Sequence, residues 1–526
     1  MMEFSHNHQN REHAVKFAER FLLQFGEKVN GVLSCFDRVI FKGYLPFHNE
    51  GELNSWVDYG LRVRRSDFLQ QLDQRSGELV DHAKALAQKA GRPYEYRQGW
   101  FRKDEVIQDI IRRDQVTEGL VAVLCVQETC RTVKLAHGKE RPRLIFAKRP
   151  QRVLYYYFID RAFGLMDIRL ETWFPYTVQI YMNGHEWLAR QMTKRGISFT
   201  QVDNAFVTID DLPEAQRLAD RFAQQDWLKQ LSKWAAHVNP HVAKNGWLQD
   251  KDYYWITEQA EFASDVMFRD QASLKDLYPK LLDHAVVNFS ASDILTFLGR
   301  KLSPQFQGEV LTDCKKHRHP GARVKHRMKQ NWIKMYDKFG RILRVETVIN
   351  DPREFKVRRT RTRNGQQVKV WCPMNKGVTN LASYQRVCRA ANDRYLNALS
   401  VVNDPTPAYS RVKELTESKI HQGRRYAGFN PARSSDVKLF QAVMSGSHEL
   451  RGFHNPDIRT QLFRESRDPV ERRRQATNVS RLLKRLHVRA LIAKIPRTRR
   501  WRITARGRSL LGTILQLHYH GLPLAV

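Results

Sequence analysis

Residues 332–349 read WIKMYDKFGRILRVETVI, and this stretch predicts a β-hairpin. Apolar and polar residues alternate on both sides of Lys338-Phe339-Gly340, as expected for two strands that bury one face. The glycine supplies the left-handed backbone conformation that a three-residue loop needs. The register set by this loop places Lys334 opposite Arg344, and one face then carries Trp332, Lys334, Tyr336, Ile342, Arg344 and Glu346.

A tyrosine, two cations and a carboxylate on one sheet face suit phosphoryl transfer. Glu346 would hold a divalent ion, Lys334 and Arg344 would neutralise phosphate, and Tyr336 would serve as a nucleophile. The alternative is a salt-bridged sheet face on which Tyr336 packs against Trp332.

Two further carboxylates extend this hypothesis. Asp37 interrupts the mostly apolar strand FDRVIF at residues 36–41, where an acid is either exposed at an edge or positioned for a purpose. Residues 167–172, DIRLET, repeat the Arg-x-Glu-Thr of residues 344–347, which places Glu171 on a second strand in the way that Glu346 lies on the first. On neighbouring strands, Asp37, Glu171 and Glu346 would form a site for Mg²⁺ or Mn²⁺.

The rest of the chain predicts a multi-domain α+β protein with a mixed sheet core. Residues 1–235 form the first part of this core. Residues 236–302 are expected to be a helical insertion, because DYYWITEQAEFASDVMF at 252–268 and the two segments after it show helical patterns. Residues 303–402 add a basic loop over 303–330, the hairpin and an amphipathic helix. A linker over 403–433 leads to a final domain at 434–526.

Residues 434–526 predict three helices, two short strands around Pro496-Arg497-Thr498-Arg499, and a closing helix. This order resembles a winged helix. The resemblance implies a third helix in the major groove of DNA and a basic wing against phosphate or the minor groove. The residues that it assigns to these contacts are Arg481, Lys484 and Arg485 on the helix and Arg497, Arg499 and Arg500 on the wing. A winged helix used for protein contacts is the alternative.

The charge distribution indicates a polyanionic partner. The 526 residues carry a net charge of +34, and residues 315–376 hold 19 Lys or Arg against 4 acids. Residues 451–526 hold 18 against 4, and charge concentrated in this way attracts DNA or RNA. A second hairpin, with its basic run at 358–365, is expected to grip backbone phosphate through Arg358, Arg359, Arg361 and Arg363.

Several classes of protein are disfavoured by what the sequence lacks. It has no phosphate-binding loop, no paired zinc motif, no uncharged apolar stretch of transmembrane length and no secretory signal. Six cysteines do not make a disulfide framework. We therefore expect a cytoplasmic, nucleoid-associated bacterial protein with no membrane partner, and a homo-oligomer stays open.

Two resemblances suggest a function. Lys-Met-Tyr-Asp-Lys at 334–338, followed after a turn by Leu-Arg-Val-Glu at 343–346, resembles the replication initiators of rolling-circle plasmids and filamentous phages. Those proteins nick one DNA strand through a tyrosine and a carboxylate-held metal. The whole chain is similar to uncharacterised, transposase-like bacterial proteins found with transposable elements, through VNGVLSCFDRVIF (29–41), NGHEWLARQM (183–192) and AANDRYLNAL (390–399).

The resemblances imply an enzyme of a mobile genetic element that cleaves or transfers DNA strands. Its substrate would be duplex or single-stranded DNA, and its catalytic residues would be Asp37, Glu171, Glu346 and Tyr336. A tyrosine nucleophile and a metal-activated water both stay open. The alternatives are a non-catalytic winged-helix regulator that binds DNA, and an RNA-binding partner in a ribonucleoprotein.

Overall fold

The computed structural model describes residues 17–47, 49–137, 142–300, 306, 308–318, 321–363, 366–402, 413–431, 433–445, 448, 452–466 and 468–519. The chain divides into two compact units. The core unit comprises Val29–Asp270 and Gln330–Asn392, and the second unit comprises Met1–Lys28, Gln271–Lys329 and Asp393–Val526. Helices combined with a large mixed sheet confirm the predicted α+β class.

The core unit is built on one long sheet. Its strands are β1 (Val29–Tyr44), β2 (Tyr94–Tyr96), β3 (Gly119–Ala136), β4 (Arg143–Asp160), β5 (Gly164–Glu171), β6 (Val178–Asn183), β9 (Tyr254–Phe268), β12 (Asn331–Lys338) and β13 (Ile342–Ile349). They lie in the order β12-β13-β9-β1-β6-β5-β4-β3-β2. Only the β2–β3 pair is parallel among these strands. Two separate hairpins are β7 (Phe199–Val202) with β8 (Ala205–Ile209) and β14 (Lys356–Arg363) with β15 (Gln366–Pro373).

Helices pack against the strands of this sheet. They are α2 (Glu50–Ser55), α3 (Arg65–Lys89), α4 (Lys103–Asp114), α5 (Gly184–Lys194), α6 (Leu212–Arg221), α7 (Trp227–Val238) and α10 (Leu381–Leu399), with a π-helical turn at Trp56–Leu61 and 3-10 turns at Phe222–Gln224, Pro352–Glu354 and Val378–Asn380. Asn392 of α10 is fully buried, accepts a hydrogen bond from the Thr347 hydroxyl (2.6 Å) and donates to Ser264 Oγ and the Phe262 carbonyl. A buried amide with all these partners fixes α10 on the sheet.

The second unit contains α1 (Glu19–Phe25), a 3-10 turn (Gly26–Lys28), α8 (Gln271–Val287), α9 (Ala291–Phe297) and the hairpin β10 (Val310–Arg318) with β11 (Gly321–Met328). His326 of β11 is buried and hydrogen-bonds Thr312 Oγ1 and Tyr395 Oη at 2.9 and 3.0 Å. Burial lowers the pKa of His326 to about 3. The imidazole is therefore neutral at physiological pH.

The last part of the second unit follows the predicted order of elements. It comprises β16 (Lys419–His421), β17 (Arg424–Tyr426), α11 (Ser434–Val443), α12 (Asn455–Leu462), α13 (Pro469–Val488), β18 (Ile492–Lys494), β19 (Trp501–Ile503) and α14 (Ala505–Tyr519). Val479, Leu483 and Leu486 of α13 lie in its apolar core. The comparison with a winged helix stays a prediction.

The predicted structure of three segments is wrong. Residues 254–268 are strand β9 at the centre of the sheet, so 236–302 is not a helical insertion, although α8 and α9 are helices. The expected basic loop over 303–330 includes the β10–β11 hairpin, whose alternating residues pair along both strands. The expected linker contributes Leu415 and Phe429 to the apolar core that α13 enters, while residues 403–412 lie outside the described residues. Within the part of the chain that the structure describes, no helix has the length and apolar character needed to cross a membrane.

Candidate metal centre

A β-bulge in β1 positions Asp37. Phe36 pairs with Phe262 of β9 and Arg38 pairs with Glu261, so Asp37 is an additional residue without a partner in the register. A bulge of this kind bends a strand and redirects a side chain. The polar Asp37 can therefore turn away from its apolar neighbours toward the carboxylates of adjacent strands.

Helix α5 packs directly on this bulge. A Cβ atom at Gly184 would lie 2.2 Å from the Phe36 carbonyl oxygen, so only glycine allows this approach. The Asn183 side chain caps the helix by accepting hydrogen bonds from the backbone N–H groups of residues 185 and 186. The cap orients the first turn, and His185 Nδ1 lies 3.1 Å from Asp37 Oδ1.

Three buried carboxylates meet at the centre of the sheet. One ligand oxygen each from Asp37, Glu261 and Glu346 lies within 4.8 Å of the other two. These residues come from β1, β9 and β13, which are neighbours in the order β13-β9-β1. The three residues are 8%, 7% and 1% exposed. An all-oxygen, multiply charged cluster has the ligand chemistry that Mg²⁺ and Mn²⁺ prefer.

The hairpin β12–β13 delivers a cation and a hydroxyl to this cluster. Lys334 Nζ lies 2.6 Å from Glu346 Oε1 and 3.9 Å from Glu261 Oε2. The Tyr336 hydroxyl donates a hydrogen bond to Glu346 Oε2 over 2.8 Å. Both contacts follow from a sheet register in which Lys334 lies opposite Glu346.

The predicted register of this hairpin is wrong by two residues. Tyr336 pairs with Arg344, and the loop begins at Phe339 rather than at Lys338. Both Phe339 and Gly340 have positive φ, and the turn closes when Arg341 N–H donates to the Lys338 carbonyl. The sequence indicated the left-handed glycine but not the left-handed phenylalanine before it.

Arg344 lies next to the carboxylates of Asp37 and Asp265 and is fully buried. Its Nε and Nη2 atoms bind Asp265 at 2.6 and 2.7 Å, its Nη1 lies 3.4 Å from Asp37 Oδ1, and its Nη2 donates to the Asn204 carbonyl. Burial opposes the ionisation of Asp265, but Arg344 and His185 lower its pKa to about 2. The prediction that Arg344 contacts nucleic acid is therefore wrong, because its donors face protein acceptors.

The carboxylates of the cluster have opposite pKa shifts. Burial first, and then the neighbouring Glu346, raises the pKa of Glu261 to about 8. Burial also acts on Asp37, but Arg344 and then His185 hold the pKa of that carboxyl well below its ordinary value. Asp37 is therefore charged at neutral pH, whereas Glu261 retains a proton. A bound divalent cation would relieve this crowding of negative charge.

Tyr336 has a phenol that stays protonated at neutral pH. Burial and the Glu346 carboxylate raise its pKa well above the ordinary value. Its hydroxyl is therefore a hydrogen-bond donor to Glu346 in the resting protein. A role as nucleophile would require the proton to leave as the oxygen attacks.

Glu171 does not join the cluster, so this part of the predicted site is wrong. It lies on β5, and β6 separates β5 from β1 in the sheet. Its Oε1 binds Arg169 Nη1 at 2.9 Å, and Arg169 also binds Glu128. The Arg-x-Glu-Thr repeat correctly placed arginine and glutamate on one face, but the strand is not adjacent. Glu261 supplies the third carboxylate of the cluster instead of Glu171.

Sequence reasoning missed the contribution of β9. Glu261 and Asp265 lie in a segment that also contains Thr257, Glu258, Gln259 and Ser264, so they do not stand out from their neighbours as Asp37 does. Their spacing of four residues is also helical, and it concealed the strand. His185 and Asn204 carry no distinguishing local pattern, because only the fold brings them to Asp37 and Arg344.

The basic residues predicted to bind nucleic acid differ in their exposure. In β14, Arg358 and Arg361 are exposed. Arg359 is half-buried and donates to Asn380 Oδ1 at 2.7 Å, which makes it a structural anchor. The side chain of Arg363 lies outside the described residues.

In the second unit, the exposed predicted residues are Arg481, Lys484, Arg497 and Arg499. Arg485 is half-buried, donates to the Ala427 and Gly428 carbonyls and lies 4.0 Å from the Phe429 ring centroid, and its role as a DNA contact stays a prediction. Arg500 is half-buried and donates to the Gly452 carbonyl.

No protein-family model, curated protein or solved structure matches this chain. The resemblances to replication initiators and to mobile-element proteins stay predictions.

Proposed function

We propose that the protein is a metal-dependent enzyme that cleaves or transfers DNA strands for a mobile genetic element. The convergence of Asp37, Glu261 and Glu346 carries this proposal. Buried carboxylates crowd together at a cost in free energy, and binding a divalent cation is a function that offsets it. The net charge of +34 and the exposed arginines favour a nucleic-acid substrate in the bacterial nucleoid.

The surrounding side chains support phosphoryl transfer. A bound Mg²⁺ or Mn²⁺ would supply Lewis-acid polarisation of a phosphate oxygen. Lys334 contacts both Glu261 and Glu346. It would release one of these carboxylates and bind the incoming phosphate instead. Arg344 pairs with Asp265 and also contacts the Asp37 carboxylate, so this ion pair positions Asp37. Tyr336 would pass its proton to Glu346 if its oxygen attacked phosphorus, and the bond to the leaving DNA oxygen would break.

A non-catalytic DNA-binding protein is the second candidate. The ion pair between Lys334 and Glu346 at 2.6 Å favours it, because the carboxylates are already partly neutralised by the chain itself. In that case the cluster would stabilise the sheet without binding a metal, and the basic surfaces would provide the whole function. An RNA-binding role differs from this candidate only in the polymer that is bound.

The test is DNA cleavage by the full-length protein in Mn²⁺ or Mg²⁺. We expect cleavage of supercoiled DNA by the wild type and its loss in Glu346→Gln, with DNA affinity in EDTA unchanged. Glu258→Gln is the matched control on β9, because Glu258 forms a half-exposed ion pair with Lys376. No cleavage with either metal would support the non-catalytic candidate, and equal cleavage by wild type and Glu346→Gln would contradict the assignment of the carboxylate cluster as the catalytic centre.

Tyr336→Phe distinguishes the two nucleophiles. It removes one hydroxyl and its hydrogen bond to Glu346. With labelled DNA, a denaturation-resistant protein–DNA adduct in the wild type that is absent from the variant would identify a tyrosine nucleophile. Cleavage that continues in Tyr336→Phe without an adduct would identify an activated water.

A further inference from the structure

The hairpin β14–β15, residues 356–363 and 366–373, forms a two-stranded sheet of its own, and we call it the basic arm. Its base is anchored by the buried side chains of Val357 and Cys372 and by the hydrogen bond from Arg359 to Asn380. Its outer residues, such as Thr360 and Arg361, are exposed. A two-stranded ribbon is marginally stable in water, so such an arm gains order from a binding partner.

The chemistry of the basic arm specifies a polyanion. Residues 356–373 contain six Lys or Arg and no Asp or Glu. The sheet register puts Arg358 opposite Trp371 and Thr360 opposite Lys369, so arginine, lysine and tryptophan share one face. Uncompensated cations of this density are complementary to a row of phosphates.

Trp371 gives this face a second property. The residue is 63% exposed, and the Arg358 guanidinium carbon lies 5.4 Å from its ring centroid. A large aromatic surface beside cations is the combination that stacks on nucleobases while the cations follow the backbone. In a duplex each base face is covered by the next base pair, so stacking on Trp371 requires a base that is unpaired.

We propose that the basic arm binds unpaired nucleotides, with a base stacked on Trp371 and the backbone held by Arg358 and Lys369. This inference rests on the proposed function in its choice of DNA, and it adds that the substrate is single-stranded or opened where the arm binds it. An enzyme that processes DNA strands needs such a contact to keep a separated strand from pairing again.

The test compares single-stranded and duplex DNA with the full-length protein in EDTA, which prevents metal-dependent cleavage. Fluorescence anisotropy with labelled oligothymidine of about 20 nucleotides, longer than single-strand sites of about 4–16 nucleotides, reports the first affinity. A duplex of equal length reports the second. We expect Trp371→Ala to weaken single-strand binding by about 5- to 100-fold, the usual size of one base–aromatic stack. Duplex binding should change less than about twofold.

Two variants separate stacking from charge and from folding. Trp371→Tyr keeps an aromatic face and should retain most single-strand affinity. Lys369→Gln removes one exposed cation and should weaken both complexes and reduce the salt slope of each by about one. Circular dichroism of each variant should match the wild type, because Trp371 and Lys369 are exposed.

Unchanged single-strand affinity in Trp371→Ala, or an equal loss with duplex and single strand, would overturn the inference. Neither result bears on cleavage by Glu346 variants, so the arm can fail while the metal centre stands. Loss of cleavage in Glu346→Gln, conversely, leaves the affinities measured in EDTA unaffected.

Discussion

Glu261 provides a sharp test of the metal centre, because its charge is tolerated only when a cation balances it. In the metal-free protein its pKa rises from an ordinary 4.5 to about 8. The folded protein therefore binds more protons than the unfolded chain between these pH values, and the free energy of unfolding falls as the pH rises through that window. At pH 7 the 2.5 units above the ordinary pKa correspond to about 3 kcal/mol of destabilisation, at about 1.4 kcal/mol per unit.

Glu261→Gln removes this charge and keeps the shape of the side chain. We expect the variant to be more stable than the wild type in EDTA at pH 7, by up to about 3 kcal/mol, and to show no such gain near pH 4.5. In Mn²⁺ the wild type should gain more stability than the variant. A metal at 100 times its dissociation constant stabilises the wild type by about 2.7 kcal/mol, and the variant should lose most of this effect.

Denaturant unfolding followed by circular dichroism, with EDTA or Mn²⁺ at several pH values, measures both effects. Glu258→Gln on the same strand is the control and should leave stability and the metal response within about 0.5 kcal/mol of the wild type. A Glu261→Gln variant that is less stable in EDTA, or that responds to Mn²⁺ as the wild type does, would refute the reasoning.

Three further predictions concern other parts of the chain. Arg481→Ala and Lys484→Ala should each reduce the salt slope of duplex binding by about one, as measured by anisotropy across a salt series, since both side chains are exposed. Between pH 7 and pH 5 the contribution of His326 to the free energy of unfolding should fall by about 2 kcal/mol, opposite in sign to that of Glu261, because His326 takes up a proton near pH 6.5 when unfolded and only near 3 when folded. The difference between wild type and His326→Gln across this pH range measures it. Asn392→Ala should lower the free energy of unfolding in urea by about 1–3 kcal/mol, because it leaves the buried Thr347 hydroxyl without its acceptor.

The sequence was most informative where one side chain contradicted its surroundings. Asp37 and Glu346 are acids in apolar strands, and both lie in the carboxylate cluster. The same argument does not single out Glu261, because β9 carries other polar residues and shows no clear alternation of polar and apolar residues. A central strand packed on both faces loses the period that identifies a strand, and its acids then suggested a helix.

The errors about which strands and side chains are neighbours had a different cause. Glu171 has the expected strand and the expected local pattern, yet strand order decides its neighbours, and the chain inserts β6 between β5 and β1. Arg344 looked like a free cation because local sequence does not show which carboxylates a buried guanidinium meets. Long-range partners of this kind become visible only when the sheet is assembled.

The bulge at Asp37 divides β1 into two halves that alternate out of phase. Cys35 and Arg38 pair with Ala263 and Glu261, which are two residues apart on β9, so they share a face although they are three residues apart on β1. Deleting Asp37 would restore regular alternation and leave Arg38 on the face that it shares with Cys35, because Phe36 and Arg38 already pair with consecutive residues of β9. Replacing Asp37 changes one carboxylate and keeps the bulge, whereas deleting it removes the bulge and leaves the other residues of the strand on their present faces. The carboxylate at this position and the bulge in the strand are therefore separable by mutation.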